Sequence, residues 1–134
     1  SNYKSDKAME FKEHSQVAVT FFWSEVNTQI RIKGNIEKSS KAFNQEYFEK
    51  RDKDKNALAI SSDQSKLIDS YYDVVRNYQR ALKATNLSDC PEFWGGYQLD
   101  PYYFEFWEGH NARLNRRDAY SLSGSSWTHF CLQP

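Results

Sequence analysis

Two β-type stretches, separated by only five residues near the start of the chain, restrict its fold more than any other feature. Residues 16–23 read Gln-Val-Ala-Val-Thr-Phe-Phe-Trp, β-branched and aromatic throughout the centre. Residues 29–36 then alternate: Ile30, Ile32 and Ile36 fall on one face, and Gln29, Arg31 and Lys33 on the other. Side chains alternate across a strand, so this is the pattern of a half-buried strand. A turn near residues 25–27 makes the two segments paired neighbours.

The middle of the chain reads as helical. A short polar helix is expected over 5–12, capped by Ser5 or Asp6. Ser39 and Ser40 open a second helix running to about residue 51, with Phe43, Tyr47 and Phe48 sharing a face. Residues 55–61 form another short helix. The longest is expected over 67–85, with Ile68, Tyr72, Val75, Tyr78 and Leu82 as its apolar stripe. After a polar loop at 86–91, strands are expected at 94–99 and 102–107, broken by Asp100-Pro101. A hairpin of 117–122 and 127–132 follows, around Ser123-Gly124-Ser125. Gly95-Gly96 fits backbone crowding in a strand rather than a phosphate loop. Strands at both ends with helices between them predict an α+β, barrel-like domain and not a parallel βαβ sheet.

Composition narrows the function classes. At 134 residues, 39% hydrophobic and 27% charged, the chain suits one ordinary globular domain. Aromatics reach 16%, which fits a dense small core or a surface that holds flat ligands and partners. Eighteen basic residues balance eighteen acidic ones, so general binding to a nucleic-acid backbone has no cationic excess to support it. Cys90 and Cys131 show no CxxC or Cys/His spacing, and His14, His110 and His129 no ligand spacing, so no metal is expected. Two free thiols are the expectation for the cysteines, with a disulfide as the alternative. The serine cluster at 123–126 reads as a turn and not a nucleophile. No signal peptide and no apolar run of bilayer length is seen, and a cytoplasmic location is expected. The opening Ser1-Asn2-Tyr3-Lys4 reads as a chain that begins in mid-domain.

Three ordered groups of residues carry a resemblance. The first is Trp94-Gly95-Gly96-Tyr97, Glu105-Phe106-Trp107-Glu108-Gly109 and Arg113-Leu114-Asn115-Arg116-Arg117. The second is Tyr47-Phe48-Glu49-Lys50-Arg51 followed by Gln64-Ser65. The third is Phe21-Phe22-Trp23 with Gln29-Ile30-Arg31-Ile32-Lys33-Gly34, and the chain ends Leu132-Gln133-Pro134. Together they resemble the pyridoxamine-phosphate oxidase family, with its WGG, EFWQG, RLHDR, YFxxRP and QSS patterns. The resemblance implies an FMN-binding split β-barrel with flanking helices. It would be partial, since the family's first strands, with their Arg-x-x-Leu-Leu-Lys-type segment, have no match. Residues 1–134 would then be a single partial domain, with 1–88 the FMN-binding part and 89–134 a C-terminal dimerisation region.

The implied activity is oxidation of pyridoxamine or pyridoxine 5′-phosphate to pyridoxal 5′-phosphate by a homodimer, with FMN at the subunit interface and O2 reduced to H2O2. The flavin carries the redox step, and the protein positions and polarises. Two alternatives stand beside it: a catalytically impaired paralogue that binds flavin or pyridoxal phosphate, and a purely structural dimer partner.

The resemblance also implies site residues. Ser1, Lys7, Gln29, Gln64, Ser65, Trp107 and Arg117 match cofactor-binding positions. Neutral amides and hydroxyls suit ring carbonyls, and a guanidinium can fork onto phosphate. Plain structural readings remain: Trp107 as a core residue, Arg117 as an exposed strand cation, Gln29 on the solvated side. Tyr47, Arg51 and Lys55 match substrate-phosphate positions, the first two one helical turn apart; a packed Tyr and a solvated Arg are the alternative. Arg113 and Asn115 match the substrate-facing, catalytic pair. The sequence departs from the family at four places. Asp6 stands where an Arg is usual, Lys55 where a Ser is, Asn115 where a His is, and Arg116 where an Asp is. Asn cannot titrate near neutral pH, so a proton transfer through that His would be lost.

Overall fold

The computed structural model describes residues 1–84 and 86–134. Its contacts fall into two compact units, each drawn from both sides of residue 88. One comprises Ser1–Glu13 with Glu37–Gln98, and the other His14–Ile36 with Leu99–Pro134.

The first unit is helical: α1 (Asp6–Glu13), α2 (Lys41–Lys50), α3 (Lys53–Ser61) and α4 (Tyr71–Ala84). Ser40 caps α2 as the sequence suggests, its hydroxyl accepting from the Phe43 amide at 3.2 Å. The buried face of α2 is Asn44 and Phe48. Phe43 and Tyr47, expected on the same face as Phe48, are instead exposed and stack on each other. Asp52 caps α3, its side chain accepting from the Asp54 amide at 2.9 Å.

Helix α4 begins at Tyr71, four residues later than expected, because Ser70 and Asp73 define its first turn. The Ser70 carbonyl accepts from the Asp73 amide, and the Ser70 hydroxyl donates to the Asp73 carboxylate. Thr85, the expected last residue, lies outside the described residues. The stripe is corrected in part. Val75 and Tyr78 are half-buried as expected, but Ile68, Tyr72 and Leu82 are exposed, whereas Val74 is half-buried and Ala81 buried, and α4 packs on α3.

The N-terminal residues are held against the segment before the third strand. Asn2 bridges Trp94, the Tyr3 amide donates to the Phe93 carbonyl, and the Gly95 amide to the Ser1 carbonyl. Asn44 fixes this region from α2: its Nδ2 donates to Tyr3 Oη at 3.1 Å and its Oδ1 accepts from the Gly96 amide at 2.9 Å. Gly95 is required here because a Cβ would overlap Tyr3 Oη and the Asn44 side chain. The crowding read from Gly95-Gly96 is therefore real, but it lies just ahead of the strand, which starts at Tyr97.

The second unit carries the sheet, ordered β1-β2-β3-β4-β5. Its strands are β1 (Gln16–Trp23), β2 (Thr28–Lys38), β3 (Tyr97–Glu108), β4 (Arg116–Ser123) and β5 (Ser126–Cys131). β1 and β2 pair antiparallel from Gln16↔Asn35 to Trp23↔Thr28. The turn between them is a short 3-10 segment closed by Asn27 at φ 47°, with Asn27 Nδ2 donating to the Gly109 carbonyl at 3.0 Å.

β3 corrects the expected break at Asp100-Pro101, since one strand runs through it. The β3–β4 ladder starts only at Tyr103↔Ser121, so on that side Pro101 withholds no amide that the ladder needs. β4 and β5 form the expected hairpin, with Gly124 at φ 61° in the two-residue turn. The buried residues of this unit are Ile30, Gly34, Glu105 and Ala119, the last two directly cross-strand from each other. β1, at one edge, keeps Phe21, Phe22 and Trp23 about half exposed.

Candidate functional site

In the helical unit, Arg51 follows the last residue of α2 and turns into extended backbone (φ −75°, ψ 154°). This exit sends its side chain over the ring of Trp94, 5.0 Å from guanidinium carbon to centroid. Tyr47 stacks on the same indole at 6.2 Å and Phe48 meets it edge-on at 4.9 Å. Around Arg51 lie two openings. One, of about 330 Å³, is bordered by Ser1, Arg51, Lys55, Gln64, Leu58 and Trp94. The other, of about 360 Å³, shares Ser1, Arg51 and Trp94 and adds Tyr47. Arg51 Nη1 is buried and has no hydrogen-bond partner among the described residues. A buried guanidinium nitrogen without an acceptor is costly, and an anion in the opening removes that cost.

Five of the expected residues thus converge: Ser1, Tyr47, Arg51, Lys55 and Gln64. Lys7 and Ser65 line neither opening. Lys7 sits exposed on α1, and Ser65 follows Gln64 with φ 67° in the left-handed region. Asp6, the charge reversal next to Lys7, is exposed in the first turn of α1, where a carboxylate complements the helix dipole.

In the sheet unit, a buried carboxylate organises the site. Glu105 is 3% exposed. Its Oε1 accepts from Arg117 Nε at 2.8 Å and from Arg31 Nη1 at 3.1 Å, and its Oε2 from Tyr103 Oη at 2.9 Å. Arg31 Nε donates in turn to Gln29 Oε1 at 2.6 Å, and Arg117 Nη1 to the Gln133 carbonyl at 2.9 Å. Gln29 is therefore half-buried and engaged, not on a solvated side as alternation alone suggested. Arg117 is likewise no solvated strand cation. It pairs across the ladder with Trp107, which puts both on one face.

Burial pushes the Glu105 carboxyl up. The Arg117 and Tyr103 hydrogen bonds and the two guanidinium charges outweigh this and hold it below the usual carboxylate range. The Tyr103 phenol is raised, first by burial and then by its bond to Glu105. The Arg117 guanidinium is raised chiefly by its hydrogen bond to Glu105.

Arg113 and Asn115 lie on the exposed loop between β3 and β4. Arg113 adopts φ 63°, its amide donating to the His110 carbonyl at 2.9 Å. Asn115 Oδ1 accepts from the His110 amide at 3.1 Å, bracing the loop. Arg116 is the first residue of β4 and pairs with Asp118 at 2.6 Å, so its reversed charge is matched locally.

Sequence reasoning missed the Glu105 hub and the role of Trp94. A lone carboxylate between Phe104 and Phe106 in an aromatic strand was the available signal for Glu105. It also missed that Asp118, His129 and Cys131 come together across β4 and β5. Their proximity depends on strand register and leaves no spacing motif. Cys90 and Cys131 are both free thiols. Among the described residues, no helix is long and apolar enough to cross a membrane.

Comparison with known proteins places these features. Residues 94–134 match the family model of the pyridoxine 5′-phosphate oxidase C-terminal dimerisation region. The whole chain aligns with pyridoxine/pyridoxamine 5′-phosphate oxidase 1 of Hydrogenovibrio crunogenus at 36% identity, and with the pyridoxine/pyridoxamine 5′-phosphate oxidase of Cytophaga hutchinsonii at 37%. The chain spans 64% of the length of each. Among solved structures, PhzG of Burkholderia lata 383, described in complex with tetrahydrophenazine-1-carboxylic acid, superposes with a TM-score of 0.90 at 26% identity. That match covers all of this chain and 66% of PhzG. A pyridoxamine 5′-phosphate oxidase-related, FMN-binding protein of Nostoc punctiforme superposes over the whole chain, and 71% of its own, with a TM-score of 0.67 at 12% identity. The latter shows the fold alone, an α+β split β-barrel with flanking helices. Sequence similarity running from the first residue of this chain to the last, on a fold shared with PhzG, makes the chain similar to somewhat under two thirds of a pyridoxine/pyridoxamine 5′-phosphate oxidase.

Proposed function

We propose that the protein carrying this chain is an FMN-dependent oxidase. It converts pyridoxamine or pyridoxine 5′-phosphate to pyridoxal 5′-phosphate, reduces O2 to H2O2, and acts as a homodimer. The observation that carries this reading is Arg51, whose buried Nη1 lacks an acceptor among the described residues, in an opening shared with Lys55, Gln64 and Trp94. A phosphate monoester supplies the missing acceptor and is bound by the guanidinium, the Lys55 ammonium and the Tyr47 phenol.

The donors of this chain suit a flavin phosphate and ring carbonyls. The proposed FMN-binding positions are Ser1, Lys7, Gln64 and Ser65 in the helical unit and Gln29, Trp107 and Arg117 in the sheet unit, each taken by itself. FMN, when bound, supplies the hydride acceptor. Arg117 enters that role already oriented, with Nε and Nη1 committed to Glu105 and Gln133. Arg113 presents a cation, and Asn115 an amide, toward the substrate. Asn115 can orient a substrate amine or hydroxyl by hydrogen bonding but cannot accept its proton near neutral pH.

That last point favours a second reading: a paralogue that binds flavin or pyridoxal phosphate and turns over slowly or not at all. One experiment on the full-length protein separates them. FMN is added, bound-flavin absorbance is recorded, and peroxide is assayed with pyridoxamine 5′-phosphate and with pyridoxamine. Bound flavin with turnover that requires the phosphate supports the oxidase. Bound flavin without turnover supports the paralogue, and Asn115→His is then expected to restore rate. Absence of flavin binding overturns both.

A further inference from the structure

We infer that Asp118, His129 and Cys131 form a binding site for a divalent, borderline-soft metal ion, Zn²⁺ by preference, on the β4–β5 hairpin.

The three side chains share one face of the hairpin for a geometric reason. Asp118 lies directly opposite Cys131 in the antiparallel register, and His129 is two residues from Cys131 on the same strand. His129 Nε2 lies 2.8 Å from Asp118 Oδ1, and Cys131 Sγ lies 3.7 Å from the same oxygen. All three donor atoms fall within 4.8 Å of one another. Tetrahedral zinc with ordinary bond lengths needs separations of about 3.3 Å between nitrogen and oxygen and about 3.5 Å between sulfur and oxygen. The sulfur is already near that distance, and the imidazole has to move outward by about half an ångström.

The surroundings support the ligands. Arg116 Nε holds the other Asp118 oxygen, Oδ2, at 2.6 Å, and leaves Oδ1 directed at the imidazole. A ligating carboxylate fixed through its second oxygen is the usual outer-shell arrangement of metal sites. The Tyr120 ring lies 4.9 Å from the His129 ring, centroid to centroid, and restricts its rotation. His129 and Cys131 are exposed, so a metal held by three protein ligands keeps a fourth position open to water or to another donor. Thiolate and imidazole select zinc or cobalt over magnesium or calcium. Binding releases the Cys131 thiol proton to solvent, leaving thiolate, carboxylate and neutral imidazole around the cation. The inference is independent of the flavin chemistry, since none of the three residues belongs to the proposed cofactor or substrate set.

The test is a Co²⁺ titration of the full-length protein, reduced with a phosphine and freed of metal by dialysis against a chelator. The expected result is one Co²⁺ per chain, with a near-ultraviolet thiolate charge-transfer band that Zn²⁺ displaces. Cys131→Ser should abolish the band. His129→Ala and Asp118→Asn should each weaken binding at least tenfold, and Cys90→Ser should leave it intact. Circular dichroism of each variant checks that the fold is retained. No charge-transfer band in the wild-type protein, or a band that survives Cys131→Ser and disappears in Cys90→Ser, overturns the inference.

Discussion

Arg51, a proposed phosphate ligand, shows how one backbone angle can place a cation. It sits where α2 ends, so its side chain folds back over Trp94 and one guanidinium nitrogen stays without an acceptor. Arg51→Ala should weaken binding of pyridoxal 5′-phosphate by about 10- to 100-fold, the range of a lost charge-assisted bond, with little change in thermal stability. Fluorescence titration and a melting curve check both halves. Glu105 makes the opposite case, a residue whose main role is to hold others. Glu105→Gln should cost about 2 kcal/mol at pH 7, less than a fully buried pair because both guanidiniums reach water. The pH dependence has a definite sign. A carboxyl held below its usual range stabilises the fold above the unfolded value of about 4.3, and this contribution is lost as pH falls through the folded value. The stability gap between wild type and Glu105→Gln should therefore narrow below about pH 4, as read from urea midpoints at neutral and acidic pH.

Among the elements, the segment before β3 is the least tolerant of change. Gly95→Ala would drive a methyl group into Tyr3 and Asn44, and should cost about 3 kcal/mol or more by overpacking, seen as a lower melting temperature. Gly124→Ala, in open space at positive φ, should cost only about 1 kcal/mol. The elements also show which parts of the fold were legible in the sequence. β1 and the β4–β5 hairpin were readable because alternation and turn residues act over a few positions. The α4 stripe was read only in part, Val75 and Tyr78 but not Val74 and Ala81, because the sequence offers two apolar faces and packing on α3 chooses between them. Pro101 was taken as a break because its tolerance depends on where the β4 ladder begins. Arg51 and Gln64 could be found through local motifs. The Glu105 hub could not, since it needs β2, β3 and β4 placed side by side.

At the scale of the whole molecule, the exposed aromatics of β1 and the absence of net charge combine. A neutral chain with Phe21, Phe22 and Trp23 about half exposed on an edge strand is prone to associate. The 134-residue chain alone should sediment as more than a monomer, and Phe22→Lys should shift it toward monomer. Unchanged sedimentation would count against β1 as the associating edge. Neutrality also means that a phosphorylated ligand gains little from the field of the chain as a whole. At Arg117, the proposed cofactor position, such a ligand would meet a triad of Arg31, Glu105 and Arg117, in which two cations share one anion and leave a single net positive charge. The guanidinium is immobilised before any ligand arrives. Loading at this end should therefore have a shallow ionic-strength dependence, near that of one charge, and a small entropic penalty for ordering the arginine.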